Sequence, residues 1–337
     1  MTTTGFLGCA HIHTPDFVTM ISARPEMEVK KVWDHDAGRA ARVASEVGAV
    51  PADSIDDVLA DPDIASVVIA SETIHHKQLV IDCARAGRHM FVDKPLAIRS
   101  GDAYEMARAV EDAGVIFQTG YFRRGEPVVR FLRDEIRGGH LGKISRLRVV
   151  IGHGGALEGW FDDEWGWMAD PAQAGFGAFG DVGTHAIDLL LWMLQEPAAI
   201  SVAASVQNAT GRYANCDEYG EGIVVFSDGT LGSIAASWID RHAPFSVDIS
   251  GSSGHAHLED GVFHYQGDRL DGTGSGEHPW TALPEPHPHS FELFLDALAG
   301  ARDVPSVTVR EAANRVAIME ALYESANRSR WITPPLE

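Results

Sequence analysis

From Thr3 to about Tyr121, short apolar runs alternate with stretches whose apolar residues recur at helical spacing, and this alternation restricts the fold more than any other feature. The runs Gly5–Cys9, Val29–Trp33, Ala65–Ala70, His89–Val92 and Val115–Gly120 read as strands. Between them, Asp16–Ala23, Asp36–Val47, His76–Ala86 and Asp102–Ala113 read as helices. Thr14-Pro15 supplies a cap followed by proline at the first helical position, and Gly87 and Gly114 stand where glycine stops a helix. Nearly continuous apolar strands separated by helices belong to a parallel sheet buried on both faces. The expected fold is α/β, with residues 1–121 forming a doubly wound, nucleotide-binding sheet.

Beyond residue 121 the rhythm changes. A helix at Glu126–Arg137 leads to a strand at Ile144–Ile151, a Trp- and Gly-rich stretch, and a helix from Asp181 to Leu194. Strands then follow at Ala199–Gln207, Gly222–Phe226, Leu231–Trp238, Ser246–Ser250 and His255–Leu258, with Asp228-Gly229 as a hairpin signal. Glu277–His289 reads as a loop, and helices near Ser290–Ala299 and Arg310–Asn327 follow it. Residues 122–337 are therefore expected to form an α+β domain around a large, mostly antiparallel open sheet.

The chain's 337 residues exceed one ordinary core, in agreement with two domains. The formal net charge of −21 repels a phosphate backbone or an anionic membrane surface, which excludes nucleic acid and membrane as partners. No apolar run has membrane-spanning length, and MTTTGFLGCAHIH lacks the order of a signal peptide. Cys9, Cys83 and Cys216 lie far apart and read as reduced thiols of a cytoplasmic protein.

The first strand ends in Gly8-Cys9-Ala10-His11-Ile12-His13, where a dinucleotide-binding chain carries G-x-G-x-x-G. Only the first glycine is present. Asp34, at the end of the second strand, is placed to accept the hydroxyls of an adenosine ribose and to repel a 2′-phosphate. This favours NAD, with NADP as the alternative through Arg39. His11 and His13 also fit the His-x-His opening of a barrel metallohydrolase, but hairpins in the second half contradict a barrel, and no metal is expected.

Four motifs carry a family resemblance. Ala84–Pro95, reading ARAGRHMFVDKP, resembles A-G-K-H-V-x-x-E-K-P, and Ser71–His76 occupies the place of T-P-N-x-x-H. Gly120–Arg124 resembles G-F-x-R-R, and Gly175–Leu190 resembles G-G-G-x-x-x-D-x-G-x-H-x-I-D-L. Together they resemble the Gfo/Idh/MocA oxidoreductases, the relatives of glucose–fructose oxidoreductase and inositol dehydrogenase. Asp93 stands for the usual Glu and Glu72 for the usual Pro.

The resemblance implies hydride transfer between a nicotinamide and a sugar, inositol or related polyol, by a homodimer or homotetramer. It makes Lys94, Asp181 and His185 the catalytic set, with His185 as acid/base, Asp181 its partner and Lys94 on the reacting oxygen. Histidine suits that proton near neutral pH, and residues four apart share one helix face. Expected cofactor contacts are Gly8, Ala10, His11, Ile12, Asp34, Ser71, His76, Asp93 and Lys94. Arg123, Trp160, Trp167 and His185 are the substrate candidates, since tryptophan faces stack on sugars, although Trp160, Trp165 and Trp167 also suit loop anchoring. Arg124 is an alternative to Arg123, and Asp188 reads as structural. A non-catalytic cofactor sensor or scaffold is the competing function.

Overall fold

Strands whose residues are apolar on both faces pair where helices cover both sides, and the computed structural model shows this arrangement for the first third of the chain. It describes residues 1–337 except 214, 243 and 269–274. The elements in order are β1 (Thr2–Cys9), α1 (Thr14–Ser22), β2 (Met27–Trp33), α2 (Ala37–Val47), β3 (Val50–Pro51) and α3 (Ile55–Leu59). Then come β4 (Ile64–Ala70), α4 (Thr73–Arg85), β5 (His89–Val92), α5 (Ser100–Ala113) and β6 (Phe117–Thr119). The six strands are parallel in the order β3-β2-β1-β4-β5-β6. The order reverses between β1 and β4, the switch point at whose carboxyl ends ligands of open α/β sheets bind. This open sheet also rules out the barrel that the His-x-His reading required.

Two short elements escape the periodicity. β3 is two residues long and α3 five, and α3 starts from a reciprocal capping box between Ser54 and Asp57. The last expected strand, Val115–Gly120, shrinks to Phe117–Thr119.

The remaining elements are α6 (Pro127–Arg137), β7 (Ile144–Gly152), α7 (Gly155–Glu158), α8 (Pro171–Ala174), α9 (Ala178–Asp181) and α10 (Gly183–Met193). The strands β8 (Ala199–Gln207), β9 (Tyr219–Phe226), β10 (Leu231–Ser237), β11 (Phe245–Gly251), β12 (His255–Glu259) and β13 (Val262–Gln266) follow. The chain continues through α11 (Ser290–Leu298) and α12 (Val309–Arg328). A seven-stranded sheet runs β13-β12-β11-β7-β10-β9-β8, antiparallel except for the parallel pair β7–β10. Its edge strand β13 is absent from the sequence reading.

Two compact units result: residues 1–121, 162–175 and 288–316, and residues 122–161, 176–287 and 317–337. Within the first unit, the later segments are held by specific contacts. Phe291 packs on Phe17 and Phe91 with ring centroids 4.7 and 5.0 Å apart. Arg42 pairs with Glu164, and Trp167 Nε1 donates to the Ala10 carbonyl at 3.0 Å. Residues 162–175 and 288–316 thus pack with the first 121 residues rather than with the second unit. Buried aromatic side chains stabilise by roughly 1.5–3 kcal/mol each, enough to fix such returns.

Within the second unit, α10 lies on β7 and β10. The single helix expected from Asp181 to Leu194 is instead interrupted at Val182. Amides ahead of the break are bound from elsewhere: Asp217 accepts from Gly177 and Phe179, and the Tyr323 hydroxyl oxygen accepts from Gly180.

Candidate functional site at the sheet's carboxyl edge

The carboxyl end of β1 turns at Gly8, whose φ of +86° belongs to the left-handed region. A Cβ there would lie 2.4 Å from Ser71 Cβ, so the retained glycine lets β1 and the loop after β4 approach. Ala10 and His11 are buried, Ile12 and His13 are half-buried, and the turn enters α1 with no side-chain cap. Uncapped amides at a helix start suit an anionic group.

His11 Nδ1 and His13 Nδ1 lie 2.8 and 3.1 Å from Asp93 Oδ2, while the Lys94 amide donates to Asp93 Oδ1 at 2.7 Å. These three side chains also form a possible metal-ligand set, with ligand atoms within 4.8 Å of one another. Protons satisfy the same geometry when each imidazole carries its hydrogen on Nδ1. Burial lowers the His11 pKa to about 4 against the pull of Asp93. Burial alone would raise the Asp93 carboxyl, but the two facing histidines outweigh it and hold it well below its ordinary value.

Lys94 follows at the carboxyl end of β5 and is 4% exposed. Close by, a Cβ on Gly120 would come within 2.7 Å of Asp93 Oδ1 and 3.2 Å of Lys94 Cγ. His76 is fully buried between the carbonyls of Ser71 and Leu96, at 3.2 and 3.1 Å, and pins the loop after β4 to the segment after Lys94.

At the end of β2, Asp34 is enclosed. Its Oδ2 accepts from the Cys9 amide at 2.7 Å and Arg39 Nε at 2.8 Å; its Oδ1 accepts from the Asp36 amide at 2.8 Å and Arg39 Nη2 at 2.7 Å. Arg39 Nη2 also donates to Glu72 Oε1 at 3.0 Å. Glu72 is visible in the sequence only as a replaced proline; its carboxylate's place beside Arg39 is not.

In the second unit, Asp181 Oδ2 accepts from Trp238 Nε1 at 3.0 Å. His185, on the first turn of α10, is buried with its ring edge-on to Phe122 at 5.4 Å. Arg124 makes a bidentate pair with Asp188, including Nε to Oδ2 at 2.9 Å and Nη2 to Oδ1 at 2.6 Å. Asp188 thus serves as a buried counter-charge. Arg123 pairs with Glu126 at 2.6 Å and lies over the Phe245 ring at 4.7 Å.

The tryptophans divide. Trp160 is exposed, stacked on His153 at 4.8 Å, and its indole donates to Glu158. Trp167 differs from the open sugar-stacking face expected of it: it is buried, and its N–H is committed to the Ala10 carbonyl.

An open parallel sheet with a glycine turn at its switch point, an uncapped helix start and an acidic residue ending β2 defines a dinucleotide-binding protein. Its own residues fit such a cofactor. The family model described as "Oxidoreductase family, NAD-binding Rossmann fold" matches residues 2–121, and "GFO/IDH/MocA C-terminal domain" matches 129–257. The chain is 28% identical over 228 residues to 1,5-anhydro-D-fructose reductase of Ensifer adhaerens, covering 67% of each chain. It is 27% identical over 290 residues to levoglucosan dehydrogenase of Pseudarthrobacter phenanthrenivorans, covering 78% of this chain and 72% of that one. The WlbA dehydrogenase of Bordetella pertussis, solved with NADH and UDP-GlcNAcA, shares the fold with a TM-score of 0.82 at 24% identity, covering 100% of this chain and 98% of that one. The chain belongs to the GFO/IDH/MocA oxidoreductase family, and its first unit is an NAD-binding Rossmann domain.

Proposed function

We propose that this chain is an NAD-dependent dehydrogenase that oxidises a carbinol carbon of a sugar, an inositol or a related polyol, or runs the reverse reduction. The observation that carries the reading is Lys94, which follows β5 at the ligand-binding edge of an NAD-binding sheet and is backed by the buried His11–Asp93 pair and the half-buried His13. Relatives named as a sugar-derivative reductase and an anhydrosugar dehydrogenase support the substrate class.

The turn from Gly8 to His13 and the start of α1 would hold the pyrophosphate, and the edge formed by the ends of β2 and β4 the adenosine ribose. When bound, NAD supplies the hydride acceptor. Lys94 then donates a hydrogen bond to the reacting oxygen and favours loss of its proton. His185 takes that proton, and Asp181, oriented by Trp238, supports the imidazolium. In the reverse direction His185 returns the proton. Trp160 offers an exposed aromatic face, and Arg123 a cation, to the polyol.

Subunits pair through the open seven-stranded sheet, on which Ile200, Ile223 and Leu231 are exposed; a single-subunit mass in solution would overturn that pairing. The cytoplasm is the proposed place of action, on the three isolated cysteines. Among the described residues, no helix is long and apolar enough to cross a membrane.

The experiment is a panel of sugars, anhydrosugars and inositols with NAD⁺ or NADP⁺, read by nicotinamide absorbance. Turnover of at least one polyol with NAD⁺ is expected. Absence of turnover on every polyol, with NAD⁺ binding shown by calorimetry, favours the sensor reading, which the missing glycines at Ala10 and His13 motivate.

A further inference from the structure

Glu72 occupies the loop directly after β4, and its side chain is 5% exposed. Oε1 takes Arg39 Nη2 at 3.0 Å and lies 3.5 Å from His35 Nε2. Oε2 is buried and has no hydrogen-bond partner among the described residues. Leaving a carboxylate oxygen in that state is costly, so the position favours any donor that can reach it.

Asp34, beside it, is in the opposite condition. A carboxylate offers about four acceptor positions. Those of Asp34 are taken by the amides of Cys9 and Asp36 and by two nitrogens of Arg39. The acidic residue that normally reads the ribose is therefore already filled by its own chain. Arg39 is held between two carboxylates, which counters its use as a phosphate ligand. One guanidinium against Asp34 and Glu72 leaves this edge net negative.

Resting on the NAD reading above, we propose that Glu72 is the residue that accepts an adenosine ribose hydroxyl and sets the preference for NAD over NADP. A hydroxyl donates to Oε2 and completes its hydrogen bonding. A 2′-phosphate has no proton to donate at neutral pH and brings negative charge against an already negative edge. Asp34 acts differently: it holds Arg39 and the β1 turn in place. A transition metal on His35, Glu72 and His75 is a competing occupant of the same carboxylate. The guanidinium 3.0 Å from Glu72 opposes a second cation there.

The test is calorimetric binding of NAD⁺, NADP⁺ and 2′-deoxy-NAD⁺ to wild type, Glu72→Gln and Asp34→Asn, with no turnover required. Wild type should bind NAD⁺ at least about 100-fold more tightly than NADP⁺. Glu72→Gln should weaken NAD⁺ and tighten NADP⁺ by about tenfold each, collapsing the ratio. Removing the hydroxyl from the ligand, which leaves the fold untouched, should cost wild type about tenfold and the variant little. If Glu72→Gln keeps the wild-type ratio, or Asp34→Asn alone collapses it, the assignment to Glu72 is overturned while NAD binding stands. Zinc displacing NAD⁺ from wild type but not from Glu72→Gln, with the nucleotide ratio unchanged, would assign the carboxylate to metal instead. If wild type binds neither nucleotide, the NAD reading itself fails.

Discussion

Two buried carboxylates stand at the same edge of the parallel sheet and are neutralised in opposite ways. Asp34, after β2, is enclosed by a guanidinium and two backbone amides. Asp93, after β5, faces two imidazoles and one amide. A guanidinium keeps its charge at every working pH, whereas an imidazole can give and take a proton. The β2 edge is thus a fixed electrostatic frame, suited to recognition. The β5 edge is held by imidazole hydrogen bonds rather than by a fixed cation, and is the one joined to Lys94.

The sharpest way to break this contrast is to remove Lys94. Lys94→Ala should lower kcat by about 10³-fold, or about 4 kcal/mol, with NAD⁺ affinity nearly unchanged. Steady-state kinetics paired with calorimetry checks this; a large loss of affinity with kcat intact would move Lys94 from chemistry to binding.

At the opposite edge, Arg39→Met leaves two buried carboxylates without their cation. Chemical denaturation should show a loss of about 3 to 4 kcal/mol, because breaking one partner of a buried pair strands the other. A loss below about 1 kcal/mol would mean that water, rather than Arg39, neutralises this edge.

The third test is pH. Burial holds His11 near pKa 4 in the folded chain, against an ordinary 6.5. As pH falls through 6.5 the unfolded chain takes up a proton that the folded chain refuses. The contribution is complete above that value and is lost progressively toward pH 4, by about 3 kcal/mol. His11→Asn should flatten this part of the stability–pH profile, and an unchanged slope would contradict the neutral buried imidazole. Smallest of the four, Trp167→Phe removes one neutral hydrogen bond to the Ala10 carbonyl and should cost about 1 kcal/mol, read as a lowered unfolding midpoint.

The same contrast separates what the chain's order reveals from what it hides. The parallel sheet was legible because strands buried on both faces are nearly continuous in apolar residues, as Ile64–Ala70 is apart from Ser66. Gly8, Asp34 and Lys94 stand at or just after the carboxyl ends of β1, β2 and β5, so their positions followed from reading those strands. Trp167 was not legible: its indole is claimed by a turn 157 positions earlier, and no local pattern announces that return. The interruption at Val182 likewise depends on Asp217 and Tyr323, far along the chain. Glu72 showed only a missing proline, since an unpartnered oxygen is a property of packing.

The account stands most directly on where the hydride goes. Wild-type protein would be mixed with NAD⁺ and a polyol that turned over in the panel, carrying deuterium at the carbinol carbon, and the nucleotide analysed by mass spectrometry. Deuterium recovered on the reduced nicotinamide in step with ketone formation is the predicted result. Ketone without label on the nicotinamide, or bound NAD⁺ with no oxidation of the polyol, would contradict it.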